Sequence, residues 1–329
     1  VRPDKPSEEG AALLAVLLIV AVMSTLAAAS LERLQFATRL AANISALDQA
    51  RAYSTGAESL AVVRVNDLLA RTPGKTTLEG DWQGSETLLP LPDGGVARAR
   101  VWDGGNCFNL NSLGQGGDPA ALTTDQIAVI QFTALMTVLE IPPGDAERIA
   151  WSAADWVDAD TSPARQGSED RDYSQADHPY RTGNTVFAEV SELRAVAGVT
   201  PAYYERMRPW LCALPTTELS PINVNTLLPE QAPLVAMLLP NTLTIDGASQ
   251  AIAARPATGW NSVADFWNQP ALAGQEPLAE VIGQPQIRSR YFRLELDVAL
   301  GDVELAQSAL IDASLAPARV VSRRWGADE

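Results

Sequence analysis

Between residues 155 and 172 the chain places six carboxylates, those of Asp155, Asp158, Asp160, Glu169, Asp170 and Asp172. They stand in Asp155-Trp-Val-Asp158-Ala-Asp160 and Glu169-Asp170-Arg171-Asp172-Tyr173, on either side of a Pro- and Gly-containing stretch. Like charges this dense repel one another unless a cation neutralises them. Ca2+ suits such donors, because it takes about six to eight oxygen ligands and tolerates an irregular loop. Asp155 and Asp158 are one helical turn apart and can share a face near a helix end. Asp160 then opens the loop, and Glu169 and Asp172 close it. The segment is not read as an EF-hand: Pro163 stands where the sixth-position glycine belongs, and the twelfth-position glutamate is read as lacking too. The simpler alternative is a solvated acidic loop. Against it stand Trp156, Val157 and Tyr173, apolar residues inside the cluster that imply a loop packed on a core, where unpaired charge is costly.

Other chemistry is sparse. His178 is the single histidine, so a His-rich zinc site or a Ser-His-Asp triad has too few parts. Nothing points to an enzyme. Cys107 and Cys212 are the only cysteines. Without a CxxC motif they make a poor metal site. In an oxidising compartment they are free to form a disulfide; elsewhere they are two buried thiols. The formal charge of −16 repels phosphate backbones and attracts cations.

The elements that position these residues begin with an apolar run from Gly10 to Leu31. A helix of roughly 20 such residues crosses a bilayer core of about 30 Å. Leu40, Ile44 and Leu47 continue helical spacing beyond it, and the helix is expected to reach about Ala70, weakened at Gly56 and broken at Thr72-Pro73-Gly74-Lys75. A cleaved signal peptide ending at Ala27-Ala28-Ala29 and a plain single-span anchor are the alternatives; the run is long for a signal peptide's apolar region of about 7–15 residues. Strand-like pieces follow at 87–91 and 95–102, with a turn at Asp93-Gly94-Gly95. Helices are expected at 124–140 (capped by Thr123 or Thr124), 144–157, 190–197, 201–211, 227–238, 247–254 and 262–267. From Arg290 the pattern alternates, with Phe292, Leu294, Leu296 and Val298 on one strand face, and residues 303–325 add one or two strands. A helical block therefore interrupts a small sheet.

Taken together, Gly10-Ala11-Ala12-Leu13-Leu14, Phe108-Asn109-Leu110-Asn111, the Asp155–Asp160 segment with Gly167-Ser-Glu-Asp, Ser191-Glu-Leu-Arg and Ile222-Asn-Val-Asn-Thr resemble the minor pseudopilin K of bacterial type II secretion, the general secretion pathway protein K family. The resemblance covers nearly the whole length. Ala15 fits it: pilins and most pseudopilins carry a glutamate five residues into the mature chain, and the K subunit lacks it. Glu8 and Glu9 depart from the basic leader usual before the cleavage glycine.

The resemblance implies an α+β fold. A pilin-like long N-terminal transmembrane and stem helix and a small antiparallel sheet are interrupted by a large all-helical insertion of two sterile-alpha-motif-like subdomains. The expected divisions are a prepilin leader at 1–10, a transmembrane helix at 11–31, stem and first strands at 32–117, a first helical subdomain with the calcium loop at 118–217, a second at 218–285 and the closing strands at 286–329. Prepilin peptidase would cut between Gly10 and Ala11. The protein would be single-pass in the bacterial inner membrane with its C-terminal domain in the periplasm, at the pseudopilus tip with minor pseudopilins I and J. A second reading comes from Asn223-Val-Asn225-Thr-Leu and Ala251-Ile-Ala-Ala-Arg255-Pro, which resemble the helix-hairpin-helix module of membrane-anchored competence DNA receptors. Residues 218–285 hold Arg255 and no lysine, and without basic residues the phosphate contacts fail. No nucleic acid is expected as a partner.

Overall fold

A computed structural model of the chain describes residues 8–92, 94–175 and 178–326. The first part of the expected leader, Asp93 of the expected turn, and Ala176 and Asp177 lie outside the described residues. Helix α1 runs unbroken over Glu8–Arg71. Its apolar first part is exposed along its length, and it is long and apolar enough to cross a membrane. Gly56 does not interrupt it, because an isolated glycine costs a helix only about 1 kcal/mol. Further along, Ala50, Ser54, Ala57, Ala61, Val65 and Leu69 recur every three or four residues and are buried. This stripe faces a sheet.

The sheet has five antiparallel strands in the order β1-β2-β7-β8-β9. β1 is Thr87–Pro90 and β2 is Val96–Asp103; β7 is Tyr291–Leu300, β8 Val303–Asp312 and β9 Arg319–Trp325. Phe292, Leu294, Leu296 and Val298 form the buried face of β7. Polar side chains also tie the stem to the sheet. Glu58, buried on α1, accepts from both Arg323 Nε at 2.7 Å and Gln307 Nε2 at 2.6 Å. Ser54 donates to the same Gln307.

Everything between β2 and β7 forms the helical insertion. Its elements are β3 (Phe108–Asn109), β4 (Gly114–Gln115), β5 (Thr123–Thr124), α2 (Gln126–Val138), α3 (Pro143–Val157), α4 (Asp170–Tyr173), α5 (Pro201–Met207) and β6 (Leu211–Cys212). After these come α6 (Ala232–Ala236), α7 (Ile245–Ala253), α8 (Val263–Trp267) and α9 (Ala279–Ile282). Several expectations are corrected. Thr123 and Thr124 pair with Gly114 and Gln115 as a short strand, so the N-cap of α2 is Asp125, whose carboxylate accepts from Ile127 N at 2.8 Å. Residues 190–195 and 208–210 are 3-10 turns, not α-helix. Phe108, Leu110 and Leu113, which precede the division expected at 117/118, are fully buried in the insertion's core.

The insertion leaves the sheet at Asp103 and returns at Ser289, and these two necks are bonded together. Asp103, buried, accepts from Ser289 Oγ at 2.5 Å, Thr226 Oγ1 at 2.6 Å and Gly105 N at 3.0 Å. Asn223 adds the region just past the stem, donating to Thr76 O at 3.2 Å and to Ser289 Oγ at 2.8 Å. Cys107 and Cys212 are disulfide-bonded beside this neck, with Cα atoms 5.8 Å apart.

Candidate functional site

Helix α3 ends at Val157, with Asp158 as its C-cap, and the chain then turns away from the core. That ending collects the acidic side chains. One carboxylate oxygen from each of Asp158, Asp160 and Glu169 lies within 4.8 Å of the others. Asp158 uses Oδ2 to accept from Thr124 Oγ1 at 2.8 Å, and its Oδ1 is buried with no partner among the described residues. Glu169 accepts through Oε2 from Asp170 N at 3.3 Å, and its Oε1 is likewise buried with no partner among the described residues. A third such oxygen is Oδ1 of Asn184; the same amide donates to Asp160 O at 3.3 Å.

Asp155 lies behind this group, fully buried. Both of its oxygens accept from Ala164 N at 3.2 Å. Gly167 passes so close that a Cβ there would stand 1.9 Å from Asp155 Oδ2, so only glycine fits. Burial first, and then the charges of Asp158, Glu169 and Asp160, push Asp155 up to about 7. Burial also raises Asp158 and Glu169, helped by their acidic neighbours. Asp155, Asp158 and Glu169, packed this way, hold protons more readily than an ordinary surface carboxylate does.

The structure places the other two expected ligands elsewhere. Asp172 closes a capping box, its Oδ2 accepting from Glu169 N at 3.2 Å. Asp170 Oδ1 accepts from Thr182 N at 3.0 Å and Thr182 Oγ1 at 2.9 Å. The sequence contained two signals that the acidic pattern alone obscured. Counted from Asp158, Glu169 stands twelfth, where an EF-hand loop places its closing carboxylate. Asn184 is an oxygen donor with no charge to mark it. Around the group, Trp156 packs on Tyr173, Tyr180 and Phe187 with ring centroids 5.6, 6.3 and 6.4 Å apart. His178 is exposed.

In the second helical unit, the basic residue of the helix-hairpin-helix reading is occupied. Arg255 Nη1 donates to Leu227 O at 2.6 Å and to Val224 O at 3.4 Å. It braces its own backbone and presents no phosphate contact.

Two family models match the insertion. Both are described as type II secretion system protein K, and they cover residues 106–216 and 222–284. The chain is 38% identical over 323 residues to type II secretion system protein K of Klebsiella pneumoniae, covering 97% of each chain. It is 34% identical over 320 residues to the protein of that name from Pectobacterium carotovorum, with the same coverage. A solved GspK-GspI-GspJ complex from enterotoxigenic Escherichia coli contains a chain that superposes with a TM-score of 0.74 at 32% identity, covering 85% of this chain and 97% of that one. Similarity of this extent, through stem, sheet and insertion alike, shows that the chain belongs to the type II secretion system protein K family.

Proposed function

We propose that the protein is the minor pseudopilin that ends a periplasmic pseudopilus, held in the inner membrane by α1 until assembly and packed there with minor pseudopilins I and J. The observation that supports this most is the likeness to a chain solved together with GspI and GspJ. Shape supports the same reading: the insertion between β2 and β7 is bulkier than the sheet that carries it, and it suits the end of a fibre better than its shaft. The work of such a subunit is positional and non-catalytic. Prepilin peptidase would act between Gly10 and Ala11. The helical units are read as sterile-alpha-motif-like modules used for protein contacts. Co-expression of the full chain with I and J of the same organism, followed by detergent extraction and purification through a tag on this chain, tests the reading. All three subunits should elute together; elution of this chain without I and J would contradict it.

The acidic group is proposed as a Ca2+ site. Its donors are hard oxygens. Asp158, Glu169 and Asn184 each hold a buried oxygen without a hydrogen-bond partner, and an interior leaves such groups unpaired only at a cost. Asp158, Asp160 and Glu169 would bind the ion, with Asn184 beside them. Asp155 would sit behind them, and Asp170 and Asp172 would shape the loop rather than ligate. The ion supplies charge neutralisation and ordering of the loop.

A further inference from the structure

Where the insertion leaves and rejoins the sheet, Thr76, Asp103, Asn106, Asn223, Thr226 and Ser289 are buried together. Asp103 alone among them can ionise, and no cation answers it. Of the charged side chains on the segments around it, Arg290 turns to Glu218 at 2.7 Å, Arg293 to Glu295 at 3.2 Å, and Lys75 donates to Asn261 Oδ1 at 2.9 Å. Arg288 is exposed. Tyr291, at the start of β7, feels Asp312, Arg290 and Glu218. The groups that face Asp103 are uncharged: the hydroxyls of Ser289 and Thr226, the side chain of Asn223 and the N–H of Gly105.

Thr226 has too few hydrogens to serve an ionised Asp103 and its other neighbours at once. Its Oγ1 lies 2.6 Å from Asp103 Oδ2, 3.1 Å from Asn223 O and 3.0 Å from Asn106 Nδ2. Asn106 accepts through Oδ1 from Asn223 N at 2.8 Å, which turns its Nδ2 to Thr226 as a donor. A hydroxyl gives one hydrogen and receives two. With Asp103 ionised, Oδ2 and Asn223 O compete for that one hydrogen, and one contact is left without any. With a proton on Oδ2, all three contacts are bonds: Thr226 receives from Asp103 and Asn106 and donates to Asn223 O. The rest of the neck fits the same count. Ser289 Oγ receives from Asn223 Nδ2 at 2.8 Å, which leaves its own hydrogen for Asp103 Oδ2 at 2.5 Å. Oδ1 receives from Gly105 N at 3.0 Å.

We propose that Asp103 is a neutral carboxylic acid in the folded chain, with its proton on Oδ2 bonded to Thr226, and that this proton locks the insertion to the sheet and makes the neck sensitive to pH. The bond between the two residues runs from Thr226 to Asp103 only once the proton is lost. Burial is the largest influence on the group and raises Asp103 from its ordinary 3.8, while the bonds from Ser289, Thr226, Gly105 and Asn223 oppose it. Those donors bring no positive charge, and a buried carboxylate without one neutralises by keeping its proton. A carboxyl raised by folding contributes its full stability below its ordinary value, and that contribution is lost as pH rises through the folded value. The neck therefore tightens in acid and loosens in base.

Urea unfolding of the full chain in detergent, set beside Asp103→Asn, tests the proposal. The asparagine can still give a hydrogen to Thr226 and cannot ionise, and the acidic loop after α3 is the same in both chains. Between pH 5 and pH 6.5, the folding constant of the unaltered chain divided by that of the variant should fall about tenfold per pH unit, the slope of one proton taken up on folding. A ratio that stays flat or rises with pH would show Asp103 ionised in the fold and overturn the proposal. Should Asp103→Asn fail to fold, infrared spectroscopy decides, on a chain with carbon-13-labelled aspartate carboxyls and with Asp155→Asn and Asp158→Asn, which remove the other raised aspartates. At pH 6 the folded chain should show the carbonyl band of a labelled, protonated carboxyl and lose it on unfolding. A folded chain without that band would overturn the proposal.

Discussion

At the scale of residues, the account turns on buried carboxylates whose charge lacks a partner among the described residues. Asp160→Ala removes one of the three clustered carboxylates and should abolish protection of the loop from protease by calcium. Asp246→Ala, in the first turn of α7, should leave that protection unchanged. Limited proteolysis with and without EGTA reads both. A pH dependence of unusual sign follows as well. Burial and acidic neighbours raise Asp155 to about 7 from its ordinary 3.8. A carboxyl whose folded value is raised favours the folded loop below its ordinary value, and that contribution is lost as pH rises through the folded value. Asp158 and Glu169 shift in the same direction. In EGTA, therefore, the loop should resist protease better at pH 5.5 than at pH 7.5, and excess calcium should flatten the difference. Better resistance at pH 7.5 in EGTA would show that these carboxyls are not crowded as described.

At the scale of elements, periodic patterns were legible in the sequence and local competitions were not. The strand face of Phe292, Leu294, Leu296 and Val298 lies on β7 as its alternation required. The start of α2 was misplaced because Thr123, Thr124 and Asp125 are all good caps, and only the pairing of the threonines with Gly114 and Gln115 selects Asp125. In the acidic loop, composition marked the crowded carboxylates but not their geometry. Asp170 and Asp172 stand in the same acidic pattern, and only the fold shows the bonds of Thr182 to the first and the capping box closed by the second. Asn111 and Asn225 stood in recognisable motifs, yet the backbones they bond, those of Phe187 and Trp260, lie far along the chain. Two substitutions probe the elements. Gly56 is exposed, helical and has open space where a Cβ would go, so Gly56→Ala should raise stability by about 0.5–1 kcal/mol in thermal melts. Asp103→Ala leaves the Ser289 and Thr226 hydroxyls without their buried acceptor and should cost about 1–3 kcal/mol, read by denaturant unfolding.

At the scale of the molecule, one chain joins three environments. An apolar helix suited to a bilayer continues into a stem keyed to a sheet by Ala50–Leu69 and by Glu58 with Arg323. The sheet carries the insertion through a neck that Asp103, Asn223, Ser289 and the Cys107–Cys212 disulfide hold together. A rigid neck fixes where the insertion points relative to the stem, and a subunit so built has room above it only at an end of a fibre. Immunogold labelling of sheared pseudopili, with an antibody to the helical insertion, tests this most directly. The account predicts gold at a single end of each fibre; gold spaced along the shaft would contradict it.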